Sequence, residues 1–198
     1  MRYGYGYVQG INAAAEEMGI TDKITIEYAY GGQFYGSTEI TAAIDTWYSN
    51  ETEVVFACGG GIFTSAAEAA AKVNGKIIGV DSDQSPIIDK YGKGMTVTSA
   101  MKSLTATVNA RLDSIIFDGT WKDHVGQVEN LGLVSKDDMS KNYVGFPEDT
   151  TQWNKNFWVN DYKKLVAEIF DGKRKVNNST DQMPKVSVKL NERQGTIK

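Results

Sequence analysis

Cysteine and histidine occur only once each in the 198 residues. A lone thiol can build neither a disulfide framework nor a zinc site, and it leaves the redox compartment open. Cys58 closes the apolar run Val54-Val-Phe-Ala-Cys58, so a buried strand thiol is expected. The same string has the look of a lipidation site, but it lies mid-chain with no signal sequence ahead of it. The sole histidine, His124, follows Trp121-Lys-Asp123 and is expected in an exposed loop. With one histidine in a polar stretch there is no Ser–His–Asp arrangement, and Cys58 has no evident base. Positive charge is also scarce: 21 Lys and Arg stand against 25 Asp and Glu, for a net charge of −4. With no basic cluster, nucleic acid and anionic membrane are poor partners. The short run Lys173-Arg-Lys175 reads as a solvated turn at a helix end. No apolar stretch approaches the ~18–20 residues that span a bilayer, and no signal-peptide pattern opens the sequence. Internal repeats and low-complexity tracts are lacking too.

What is present is 41% hydrophobic content, enough for a core in one large domain or two small lobes. Residues 7–18 carry apolar positions at helical spacing and stop at Gly19, a natural C-cap. Residues 24–30, Ile-Thr-Ile-Glu-Tyr-Ala-Tyr, alternate and are β-branched, which predicts a strand followed by a loop over 31–36. A helix is expected over 38–48, with Ile40, Ile44 and Trp47 on one face. A strand over 54–58 is expected to end at the glycine triplet Gly59-Gly60-Gly61. Thr64 or Ser65 then caps an alanine-rich helix over 66–73, suited to close packing on a sheet. Strands over 76–80 and 95–99 follow. From Met101 runs an amphipathic helix with Leu104, Val108, Leu112, Ile115 and Ile116 in one stripe, closed by Asp118-Gly119. This alternation predicts an α/β lobe with a parallel sheet flanked by helices. After Thr120 the pattern breaks down: short strands over 125–135 and 142–146, a helix over 160–171 with Leu165, Val166, Ile169 and Phe170 inward, and an alternating strand over 185–190.

The segment richest in chemistry is Lys76-Ile-Ile-Gly-Val-Asp-Ser-Asp-Gln-Ser85. An apolar strand runs into Asp81, Asp83 and Gln84, and open α/β sheets bind ligands beyond the carboxyl ends of their strands. Asp81 can accept two hydrogen bonds from a vicinal diol, one per oxygen. The glycine triplet lets backbone approach a ligand and exposes amides at a helix start, so Gly60 and Gly61 are candidate contacts. The triplet lacks the Lys-Ser/Thr of a phosphate-binding P-loop and does not match a dinucleotide fingerprint. Phe63 offers a ring for stacking on a base, and Lys102 can neutralise Asp81 or donate to a ligand. Each has a plainer alternative: Asp81 a loop cap, Asp83 and Gln84 a stabilised turn before Pro86, Phe63 a core residue, Lys102 a solvated lysine. Tyr3, Tyr5, Tyr7, Trp47, Trp153 and Trp158 are read as packing residues. Asp81 and Asp83 are neighbours on one strand end and do not oppose each other as a glycosidase pair would.

The strings Tyr30-Gly-Gly-Gln-Phe34, Ala57-Cys-Gly-Gly-Gly-Ile-Phe63, Ile78-Gly-Val-Asp-Ser-Asp-Gln84 and Thr98-Ser-Ala-Met-Lys102, in that order, resemble the Bmp family. These are the basic membrane lipoproteins, purine-nucleoside-receptor-like substrate-binding proteins of ABC transporters. The resemblance runs from residue 1 to about residue 175 and thins after residue 120. It implies a periplasmic-binding-protein type I fold, two α/β lobes with a nucleoside, expected to be a purine nucleoside, clamped between them. It also implies that Phe63 stacks on the base, Asp81 binds ribose hydroxyls and Lys102 supports that site. This chain has Gly59-Gly60-Gly61-Ile62 where family members carry a Gly-Thr-Gly pattern, and Gln33-Phe34-Tyr35-Gly36 where they carry Ser-Phe-Thr-Asp. No cofactor and no catalysis are implied. The partners implied are a small-molecule nucleoside and an ABC permease, not nucleic acid, with the full-length form an extracytoplasmic lipoprotein anchored to the membrane. Residues 1–101 are expected to form the second, ligand-binding lobe and 102–120 a crossover helix. Residues 121–198 are expected to be a return segment of a first lobe whose N-terminal part is absent here. That tail is expected to be loosely held, rearranged, or completed by self-association. Two other readings stay open: a ligand-sensing regulatory domain of the same fold, and a nucleotide-using α/β enzyme.

Overall fold

The computed structural model describes residues 1–197. Helix α1 (Arg2–Met18) is followed by β1 (Thr25–Tyr30), α2 (Thr38–Ser49), β2 (Val54–Phe56), α3 (Phe63–Ala71) and β3 (Lys76–Asp81). Then come the short α4 (Ser85–Ile88), β4 (Thr96–Lys102), α5 (Leu104–Ile116), the two-residue β5 (Val144–Gly145), α6 (Val159–Phe170) and β6 (Lys189–Thr196). Strands β2, β3 and β4 pair in parallel in that order, and β5 adds antiparallel to the end of β4. A second, two-stranded parallel sheet joins β1 to β6. The result is the expected α/β architecture, parallel sheets flanked by helices, in the manner of a periplasmic-binding-protein lobe.

Two apolar clusters hold these layers. One packs Ile40, Ile44 and Tyr48 of α2 and the fully buried alanines Ala66, Ala67, Ala69 and Ala70 of α3 against Val55 and Ile77 of the sheet. Alanine at these four positions lets α3 lie close to the strands, as its composition predicts. The other joins Val8 and Ala15 of α1 to Ile26 and Val188.

Several boundaries differ from expectation. α1 starts at Arg2, so the alternating glycines and tyrosines are helical; Gly4 is needed there because a Cβ would meet the Tyr28 hydroxyl at 2.7 Å. β2 stops at Phe56, where the amides of Cys58 and Gly59 turn back onto the carbonyls of Phe56 and Ala57. Cys58 therefore lies past the strand and is exposed, not buried within it. Helix α3 begins at Phe63, ahead of the expected caps. Thr64 instead bonds the Gly61 carbonyl, and the Ser65 hydroxyl links to Ser37 at the start of α2. β4 runs on to Lys102, and α5 starts only at Leu104. The apolar stripe of α5 is uncovered, with Leu104 68% and Ile116 63% exposed.

The tail differs more. Residues 125–135 form no strand, because no neighbour offers a ladder; the amides of Val134 and Ser135 are taken by the buried side chain of Asn142. The last strand is β6, not 185–190. Asn12 binds the amides of Ser187 and Val188, and the ladder begins only where Lys189 reaches the Ile24 carbonyl. On α6 the buried side chains are Tyr162 and Val166, while Phe170 is exposed. Phe146 stacks on Tyr162, with ring centroids 5.1 Å apart, and fixes α6 beside β5. His124 is half-buried, bonded to Arg111 and Glu129, and not free in a loop. The run Lys173–Lys175 leaves the end of α6 with both lysines exposed, as expected, while Arg174 between them is half-buried and pairs with Glu168 and Glu17.

Candidate functional site at the carboxyl rim of the sheet

Because β2, β3 and β4 are parallel neighbours, the segments that leave their carboxyl ends share one rim. Asp81, the last residue of β3, lies opposite Met101 of β4, so Lys102 is its neighbour across the ladder. The Asp81 Oδ1 and Lys102 Nζ atoms are 2.6 Å apart, with the two side chains 42% and 50% exposed. At that exposure an ion pair adds only about 0–1 kcal/mol to stability. The pair is thus placed where a ligand could reach it and contributes little to the fold.

Asp81 also departs from strand backbone geometry, with φ at +71°. A non-glycine residue in this region is strained by roughly 1–2 kcal/mol, least so for Asp and Asn. The turn that holds it there is pinned by Gln84. Ile78 sends its carbonyl toward β2, to the Ala57 amide, so the Val80 amide faces the same way after β2 has ended. The Gln84 Oε1 replaces the absent strand and accepts from Val80 N at 2.9 Å. Gln84 Nε2 donates to the Gly60 carbonyl at 3.2 Å, and its own amide donates to Ser99 Oγ at 3.1 Å. This buried residue thereby ties its turn to β3 and the glycine loop through its side chain and to β4 through its main-chain amide.

The other expected residues fall on this rim with different degrees of engagement. Asp83 is used structurally: Oδ1 accepts from the Ser85 amide and Oδ2 from the Thr150 hydroxyl of the tail. Gly60 has φ +46° and a Cβ there would sit 3.2 Å from the Phe34 carbonyl, so only glycine suits the loop path. The Gly61 amide is spent on that same carbonyl at 2.7 Å, and the Ile62 amide on Gly59. The loop is therefore no open anion cradle. Phe63 opens α3 half-buried, its ring packed on the core cluster.

Tyr3 is a rim residue that sequence reasoning missed. Its hydroxyl donates to the Met101 carbonyl at 3.1 Å, and Lys102 Nζ lies 5.6 Å from its ring centroid. Burial, then the negative Asp81 and Cys58, push its phenol up to about 12. Phe34, 79% exposed, and Tyr35, 66% exposed, stand beside the glycine loop, where Tyr35 bridges to Gly61. The only signal for these rings was the string Phe34-Tyr35 itself; Tyr3 gave none, since its place depends on how α1 docks.

The rim thus presents a carboxylate with an ammonium beside it. Among the described residues, no group of three His, Cys, Asp or Glu is placed to hold a metal ion, and no helix is long and apolar enough to cross a membrane. A family model described as Bmp, ABC transporter substrate-binding protein PnrA-like, matches residues 1–180. The chain belongs to the Bmp family. Bmp proteins are the extracytoplasmic, non-enzymatic components that capture a small molecule for an ABC permease. No curated protein matches the chain.

Proposed function

We propose that this Bmp chain binds a nucleoside, with a purine base, through the carboxyl rim of β2–β4 and presents it to an ABC permease. The observation that carries the reading is Asp81: exposed, strained, and paired with Lys102 at the end of β3. A ribose diol matches the two oxygens of one carboxylate, and the Lys102 ammonium beside it can donate to the same hydroxyls. Phe63, in this reading, lays the free part of its ring against the base. Gly60 and Gly61 shape the wall, and Asp83 acts by holding the turn.

Residues 1–101 then form one ligand lobe and 102–120 the crossover. Residues 121–198 return toward a first lobe that closes over the base, although β5 and β6 here pair with β4 and β1. Closure buries base and diol together, so affinity depends on both lobes. A lipid anchor in the full-length form goes with the same reading. Titration calorimetry of the full-length polypeptide with nucleosides, sugars and amino acids tests it. Heat with purine nucleosides alone supports the proposal; binding of amino acids or free sugars with no nucleoside response defeats it.

A further inference from the structure

The tyrosines at positions 3, 5 and 7 lie in the first two turns of α1 and divide between the two sheets. Tyr5 is buried against β1, its hydroxyl 3.1 Å from that of Tyr30. Tyr7 meets Phe56 of β2 edge-on, with ring centroids 5.0 Å apart. Tyr3 points to β4, where its hydroxyl donates to the Met101 carbonyl at 3.1 Å. Tyr5 and Tyr7 thus anchor the helix, and Tyr3 carries that anchorage to the end of the strand that bears Lys102.

Lys102 needs such support. A lysine has a flexible four-carbon stem and a compact charge, and an exposed ion pair like that with Asp81 restrains it weakly. Tyr3 restrains it at both ends. The carbonyl that accepts from the phenol belongs to the peptide joining Met101 to Lys102. The ammonium lies over the Tyr3 ring, 5.6 Å from its centroid, within the roughly 6 Å reach of a cation–π attraction. Burial, first among the causes, pushes the phenol up to about 12, so it stays a neutral donor. Packing alone calls for neither contact. When a solute's hydroxyls engage the Asp81 oxygens, the ion pair gives way in part, whereas the ring does not compete with the solute.

We propose that Tyr3 is a positioning residue of the solute site, keeping Lys102 beside Asp81 while the carboxylate turns to the solute's hydroxyls. The inference rests on the reading of the Asp81–Lys102 pair as that site. Without Tyr3 the lysine must be ordered at the moment of binding, and the ordering cost appears as lost affinity.

Two measurements test it. The first needs no solute: carbon relaxation in NMR reports the mobility of the Lys102 side chain. Lys72, whose pair with Asp45 has the same 2.6 Å length, is the control. Lys102 should be the more restrained of the two. Tyr3→Leu should free it to the level of Lys72, and Tyr3→Phe, which keeps the ring, should leave it restrained. The second is titration calorimetry with adenosine. Tyr3→Leu should weaken binding on the order of 3–10-fold in the parent and leave it unchanged in a Lys102→Met background, because the cycle isolates the coupling of the two side chains. A Lys102 side chain as mobile as Lys72 in the parent, or equal losses in both backgrounds, makes Tyr3 a packing residue and overturns the proposal. A parent that gives no heat with adenosine defeats the nucleoside reading alone, and the mobility comparison then decides the role of Tyr3.

Discussion

Replacing Gln84 by methionine keeps the volume of the side chain and removes both of its hydrogen-bonding ends. The Val80 amide, buried and beyond the end of β2, then has no acceptor in place of Oε1 at 2.9 Å. A stranded buried donor costs about 1–3 kcal/mol. The Gly60 carbonyl loses Nε2 at 3.2 Å but is half-buried and can take water, which adds about 0.5–1 kcal/mol. The expected loss is about 1.5–4 kcal/mol, a large share of the roughly 5–15 kcal/mol typical of a domain. With a urea slope of 1–3 kcal/mol per molar, the unfolding midpoint should fall on the order of 1–2 M. Hydrogen exchange should show the Val80 amide opening while those of Ile77 and Ile78 stay protected. A midpoint within about 0.3 M of the parent, together with a Val80 amide that still exchanges slowly, would refute the idea that this side chain substitutes for a missing strand.

Three further outcomes are expected. Gly79→Ala places a Cβ 2.6 Å from Ser99 Oγ and 2.9 Å from Gln84, so it should destabilise by about 1–3 kcal/mol; a neutral urea midpoint would contradict that packing. Asp89 is desolvated, which raises its pKa, but bonds from Thr96 and Gly94 outweigh this and hold the carboxyl below its usual 3.8. A depressed carboxylate stabilises the fold above its ordinary pKa and loses that contribution as pH falls through the lower folded value. The gap between the parent and Asp89→Asn should thus be full at pH 7 and shrink below about pH 4, read as urea midpoints across that range. Asn142→Ala removes three bonds that shape residues 134–135, and limited proteolysis should cut near Ser135 faster while β3 and β4 keep their exchange protection.

Strands that obey a simple period were legible from the residues alone. The alternation of 24–30, the apolar run 76–80 and the stripe Ile40, Ile44 on α2 each bury as their spacing requires. The rim pair was legible for the same reason, because adjacent parallel strands bring Asp81 and Lys102 together whatever the loops do. Features that depend on tertiary docking were not. Tyr3 reaches the rim only because α1 lies across it, and β6 is placed by Asn12 capturing the amides that precede it. The segment 125–135 has strand-like composition but no edge to pair with, so Asn142 decides its path. Gln84 was recognised as a turn residue, but its reach to Val80 and Gly60 follows from β2 ending early, which no local pattern records.

The most direct test of the central claim compares a purine ribonucleoside with its 2′-deoxy counterpart by titration calorimetry, on the protein and on its Asp81→Asn variant. Asparagine tolerates the left-handed backbone at +71°, so the substitution removes charge without the added strain of alanine. If Asp81 grips the diol, the parent should prefer the ribonucleoside by on the order of 10–100-fold, and the variant should lose that preference. An unchanged preference in the variant would place the sugar elsewhere and contradict the account.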